Sequence, residues 1–159
     1  MGELGKNNIF KNMKKIVLLI LIPLLSYSQS SEINNIKSSI EIFFEGFHKK
    51  DSVLMKSILH RSFGLQSVAI RENKVSKKDI SGNEFISIVV NRPEKPIWNE
   101  KLLSYEIKVD GPLANAWVKY EFWIDEKLSH CGVNSIHLLR DGIDWKIFSI
   151  SDSRRKDCN

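Results

Sequence analysis

The chain has 159 residues, 42% of them hydrophobic and 27% charged, with a formal net charge of +5. That length is one domain's worth of chain, and its longest apolar run is about half the ~20 residues that a permanent membrane span requires. The basic excess does not point to nucleic acid: from Gln29 onward there are 20 Lys and Arg against 18 Asp and Glu, scattered apart from short clusters such as Lys77-Lys78 and Arg154-Arg155-Lys156.

The first 28 residues read as a targeting segment. Met13-Lys14-Lys15 is a positive n-region, Ile16 to Leu25 an apolar h-region, and Ser26-Tyr27-Ser28 places small residues where a signal peptidase cuts. Met13 has the look of a natural start, with 1–12 as an upstream extension. The expectation is an exported protein, periplasmic or secreted, whose mature part is a single domain over 29–159.

Between Glu32 and Lys49 the apolar residues Ile33, Ile36, Ile40, Phe43, Phe44 and Phe47 recur at three- and four-residue steps. That is one face of a helix, capped by Ser31 and closed by His48-Lys49-Lys50. Asp51 or Ser52 caps a short second helix, Val53 to Leu59. Phe63 to Glu72 reads as a strand, and the polar stretch around Lys74–Asp79 as a loop or edge strand. A third helix, Glu84 to Val90, is stopped by Pro93 and Pro96. Four antiparallel strands follow. Leu102 to Val109 alternates and turns at Asp110-Gly111. LANAWVKYEFWIDE alternates without a break, and CGVNSIHLLR and DWKIFSIS are joined at Asp141-Gly142. Helices on one face of an antiparallel sheet make an α+β domain.

Register locates a candidate site. With Trp145 and Ile147 inward, Leu138 pairs with Ile147 and Asn134 with Ser151. A short loop near Glu126-Lys127-Leu128 sets Phe122 beside Gly132 and Tyr120 beside Asn134. Tyr120, Asn134 and Ser151 then form one polar row on an otherwise apolar inner face, the composition of a ligand pocket. The alternative is that the three groups satisfy one another or buried water. Asp152 reads as the partner of an Arg, pinning the C-terminus. Trp117, Trp123, His137 and Phe148 fall on the outer face, where a second subunit or the stems of Lys and Glu must cover them. Cys131 lies opposite roughly Arg154, close enough to Cys158 for a disulfide. The rival reading is one buried thiol and one free one. There is no CxxC, nucleotide loop, Ser-His-Asp order or paired-carboxylate motif, so neither metal nor cofactor is implied. His48, His60, His130 and His137 are the candidates for proton transfer.

The segment Tyr105 to Arg155, above all His130-Cys131-Gly132-Val133-Asn134-Ser135 and Asp152-Ser153-Arg154-Arg155, resembles exported bacterial members of the nuclear-transport-factor-2-like superfamily, near the SnoaL-like and lumazine-binding groups. The resemblance implies a cone-shaped, cystatin-like α+β fold: a curved antiparallel sheet packed on three N-terminal helices, a cavity at the wide end, and often a dimer through the sheet. Its members include isomerases, dehydratases and binders without catalysis. The ketosteroid-isomerase type uses an Asp base with Tyr and protonated Asp donors. Here the register leaves no inward Asp on the central strands. Three functions are therefore expected in turn. The first is an exported small-molecule binder, with Tyr120, Asn134 and Ser151 orienting the ligand and Trp98 and Phe47 near the mouth. The second is an isomerase or dehydratase with His48 or His130 as base and Tyr120 as donor. The third is a dimeric interaction module using the Trp117 and Trp123 face.

Overall fold

The computed structural model describes residues 30–158, so the targeting reading of residues 1–28 lies outside the described residues. Helix α1 covers 30–49, and from Asn35 on it belongs to the compact unit Asn35–Asn159. After α1 come α2 (Ser52–Ile58), β1 (Leu59–Arg71), β2 (Lys74–Ser81), α3 (Gly82–Asn91), β3 (Trp98–Asp110), β4 (Leu113–Ile124), β5 (Lys127–Asp141) and β6 (Asp144–Arg155). The six strands form one sheet in the order β2-β1-β6-β5-β4-β3. The fold is α+β, as the sequence pattern requires.

Helix α1 buries the face its spacing marks out: Ile36, Ile40, Phe43, Phe44 and Phe47 are all buried. It ends on Lys50, in the left-handed region at φ 56°, and the Asp51 amide returns to the Gly46 carbonyl at 2.8 Å. The Asp51 carboxylate then accepts from the amides of Val53 and Leu54, capping α2. Gly46 is required here, because a Cβ on it would press on Met55 at 2.8 Å. Ser81 caps α3 by accepting from the Glu84 amide.

The hairpin β1–β2 makes the Lys74–Ser81 segment an edge strand, rich in Lys as exposed edges tend to be. Strand β1 runs parallel to β6, a pairing that periodicity cannot reveal. Strands β3 to β6 form an antiparallel meander whose inner face carries Ala114, Ala116, Val118, Ile136, Leu138, Trp145 and Ile147, all buried against α1 and its neighbours.

Three bulges interrupt the meander, and they decide what faces inward. One extra residue sits at Leu103 in β3, one at Ser129 in β5, and one at Phe148 in β6. The last corrects the sequence-based register. Leu138 pairs with Ile147 as expected, but His137 pairs with Ser149, Ile136 with Ile150 and Asn134 with Asp152. A one-residue slip turns every later side chain to the opposite face. Ser151 is therefore outward, donating to Gln66 Oε1 at 2.9 Å, and Asp152 is inward and buried. On the other side of β5, the turn is only two residues, Asp125-Glu126, both with positive φ. With the Ser129 bulge it places Phe122 opposite His130 and Tyr120 opposite Gly132, so Val118 is the residue across from Asn134.

Cys131 pairs with Arg155 in the ladder and forms a disulfide with Cys158, with Cα atoms 5.7 Å apart. This ties the last residues of the chain back onto β5. Among the outer-face aromatics, Trp117 is 46% exposed. Trp123 is not: the Lys101 ammonium lies 4.0 Å from its ring centre, and its Nε1 donates to Glu121. His137 and Phe148 are half-buried, their rings 5.9 Å apart, with Asn115 Nδ2 at 3.2 Å from His137 Nε2.

Candidate functional site

Between the inner sheet face, α1 and α3 lies a cavity of about 470 Å³. Its walls are largely apolar and aromatic, with Phe44, Phe47, Phe85, Trp98, Phe122 and Ile150 among the lining residues. The rings brace one another: Phe47 stacks on Phe85 with centroids 6.3 Å apart and lies 6.4 Å from Trp98, and Trp98 meets Phe122 edge-on at 5.9 Å. Behind Phe47 and Trp98 the Arg92 guanidinium lies 4.9 and 5.2 Å from their centroids. Phe47 and Trp98, expected near the mouth, are residues of the cavity lining.

One end of the cavity is polar, built from β3, β4, β5 and β6. Asn134 Nδ2 donates to Glu100 Oε1 at 2.7 Å. Asp152 gathers Ser67 Oγ at 3.2 Å, the Tyr120 hydroxyl at 3.4 Å and Arg154 Nε at 2.6 Å. The Tyr120 hydroxyl donates at a shorter 3.0 Å to the Ser153 carbonyl, so it is held rather than free. Tyr120 reaches this place because Gly132 stands opposite it in the ladder. The Asp152–Arg154 ion pair exists, but it sits at the cavity's polar end instead of pinning the terminus.

The electrostatics single out Glu100. The residue is only partly buried, yet its carboxyl group is enclosed. Loss of hydration pushes it up to about 7, Asp152 adds repulsion, and the Asn134 bond and the Arg154 charge only partly oppose this. A carboxyl that exchanges its proton near neutrality, beside a second carboxylate in an apolar cavity, is equipped to accept or return a proton. Burial, with the Asp152 and Glu100 charges behind it, holds the Tyr120 phenol well above its usual range, and so protonated.

His130 faces the cavity, stacked on Phe122 at 4.9 Å. Burial and the Arg154 charge lower it to about 4, which keeps it neutral and makes it a weak base. His48 does not reach the cavity. Its Nε2 accepts from the Glu100 amide at 2.9 Å in a shallower groove on the other side of Glu100, and burial and Arg92 lower its pKa. Among the described residues, no three His, Cys, Asp or Glu stand close enough together to hold a metal ion.

So the cavity brings together Tyr120, Asn134, Trp98, Phe47 and His130, and leaves out Ser151 and His48. The sequence reading missed Glu100 and Asp152. A signal for Asp152 exists: in an unbulged strand, inward Trp145 and Ile147 bury Ser149 and Ser151 while exposing Ile150, an inversion that an extra residue at 148 removes. For Glu100 the signal is the alternation Trp98, Glu100, Leu102, which carries the strand back from Leu102 to Trp98.

No family model and no curated protein matches the chain. Solved structures do. A nuclear-transport-factor-2-like protein of unknown function from Shewanella baltica aligns with TM-score 0.58 at 16% identity, over 80% of this chain and 97% of its own. A candidate dehydratase of the same fold family from Streptomyces avermitilis aligns with TM-score 0.59 at 12% identity, over 81% and 99%. A protein with a cystatin-like fold from Nostoc punctiforme aligns with TM-score 0.59 at 10% identity, over 76% and 89%. Three helices on a six-stranded antiparallel-rich sheet, with a cavity between the layers and these structural neighbours, give this chain the nuclear-transport-factor-2-like fold.

Proposed function

We propose that the cavity binds a small, largely apolar molecule whose polar end meets Glu100, Asn134 and Asp152. The observation that carries this is an aromatic-walled space of about 470 Å³ whose lining also holds the linked polar groups Glu100, Asn134, Tyr120 and Asp152. The test is a titration with N-phenylnaphthylamine, a neutral aromatic probe that fluoresces on entering an apolar site. Saturable binding in the micromolar range is expected, weakened by Phe122→Ala and by Ile150→Trp, which remove and overfill the wall. A flat titration removes the ligand-binding reading.

A second reading, a proton-transferring enzyme of the isomerase or dehydratase kind, is favoured by one observation: the Glu100 carboxyl at about 7. In this reading Glu100 replaces the His as base, and the name of the Streptomyces avermitilis neighbour points the same way. A nitrobenzisoxazole, which opens when a carboxylate takes its ring proton, reports on such a base. Rate above background with a midpoint near pH 7, absent in Glu100→Gln, is expected. Equal rates in the two proteins exclude Glu100 as the base.

The protein further reads as exported and homodimeric. The Met13–Leu25 pattern and the disulfide support export. Exposed Trp117, opposite Glu106 and with Lys108 and Lys119 beside it on an outer face that mixes both signs of charge, supports pairing with a second copy. Sedimentation of the parent as a dimer and of Trp117→Lys as a monomer is the expected outcome, and a monomeric parent overturns it.

A further inference from the structure

We propose that the molecule held in the cavity is an amphipathic anion, its apolar body among the phenylalanines and its acidic group in a cationic recess next to the polar end. This rests on the reading of the cavity as a ligand site. The recess, about 280 Å³, is lined by Ala69, Ile70, His130, Arg154, Arg155 and Lys156. His130 and Arg154 line both spaces, so these two side chains are the wall they share.

Charge follows from the lining. Three cations and no carboxylate line the recess among the described residues. Arg154 gives one edge of its guanidinium to Asp152, while Arg155 Nε and Lys156 Nζ donate to the backbone carbonyls of Asp157 and Ser129 at 2.9 and 2.7 Å. Carbonyl partners fix the two side chains in place. Lys78, exposed on β2, also lines the cavity. The two carboxyl groups deeper in, Glu100 and Asp152, repel an acid placed against them. They suit a neutral or hydrogen-donating part of the ligand instead. The anion therefore belongs in the recess, where Arg154 and Arg155 offer forked donors to a carboxylate, sulfonate or phosphate.

The disulfide bears on the same place. Cys158 is tied to Cys131, which holds Lys156 over β5 rather than on a free tail. Ordering a cation before the ligand arrives lowers the cost of binding.

The experiment compares N-phenylnaphthylamine with anilinonaphthalene sulfonate. The two share an aromatic body and differ by one acidic group. At low salt the sulfonate is expected to bind about tenfold more tightly, an advantage that shrinks as sodium chloride is added. The double variant R155Q/K156Q changes two exposed side chains, so it keeps the fold, which its melting temperature checks. It is expected to erase the tenfold preference and leave the affinity for the neutral probe unchanged. Equal affinities in the parent overturn the recess while the cavity reading stands, and so does a sulfonate preference that survives in the double variant. Failure of the neutral probe to bind at all removes the cavity reading and this inference with it.

Discussion

Gly132→Ala is expected to unfold the protein, or to cost it more than about 4 kcal/mol in urea denaturation, the range of severe core overpacking. The reason is close approach, not backbone freedom. Gly132 lies between Tyr120 on β4 and Arg154 on β6. A Cβ there would overlap the Ser153 carbonyl oxygen and press on Tyr120 Cε1 at 3.0 Å. That carbonyl accepts the Tyr120 hydroxyl, so the methyl group displaces β6 and the phenol together. Neither side can yield cheaply, because one obstacle is backbone and the other a buried ring. Gly64→Ala is the control: its nearest atoms are at 3.7 and 3.9 Å, and a change within about 0.5 kcal/mol is expected. A Gly132→Ala protein that melts like its parent contradicts the placement of β6 on which the site depends.

Glu100→Gln is expected to leave stability unchanged at pH 4 and to raise it by about 3 kcal/mol at pH 8. The folded protein holds the Glu100 proton up to about 7, whereas the unfolded chain releases it near the ordinary 4.5. The folded state thus binds more protons between those values. Its stability contribution is full below 4.5 and is lost as pH rises through 7. Glutamine cannot ionise and keeps an acceptor for Asn134 Nδ2, so the variant escapes that loss. His130 acts in the opposite sense. Its pKa is lowered to about 4, so the unfolded chain binds the extra proton and stability rises with pH between about 4 and 6.5. The two slopes offset each other in the parent at mildly acidic pH. The difference between parent and Glu100→Gln isolates the first, and a parallel pair of stability curves from pH 4 to 8 would rule out a perturbed Glu100.

How much of this is legible in the sequence differs from residue to residue. The Phe43, Phe44 and Phe47 face of α1 is written in its spacing, as is the inward set Ala114, Ala116 and Val118, because a helix and an unbroken strand each have one period. The β3–β6 meander follows from its hairpin turns. The site is harder to read, because it depends on where periodicity fails. Moving one residue at Phe148 exchanges Ser151 for Asp152, and with it a neutral pocket for an acidic one. The perturbed pKa of Glu100 is beyond any single-sequence signal, since it arises from burial by α1 aromatics and from Asp152, each distant in the chain. The parallel β1–β6 pairing is equally silent, being set by the path of the whole chain.

The most direct test of the acidic cavity is the ionisation of Glu100 followed by carbon NMR of its side-chain carboxyl, with and without N-phenylnaphthylamine. A midpoint near 7 is expected in the free protein, absent from the spectrum of Glu100→Gln, with a further rise when the apolar probe displaces water. A midpoint near the ordinary 4.5 that the probe does not move would contradict that expectation.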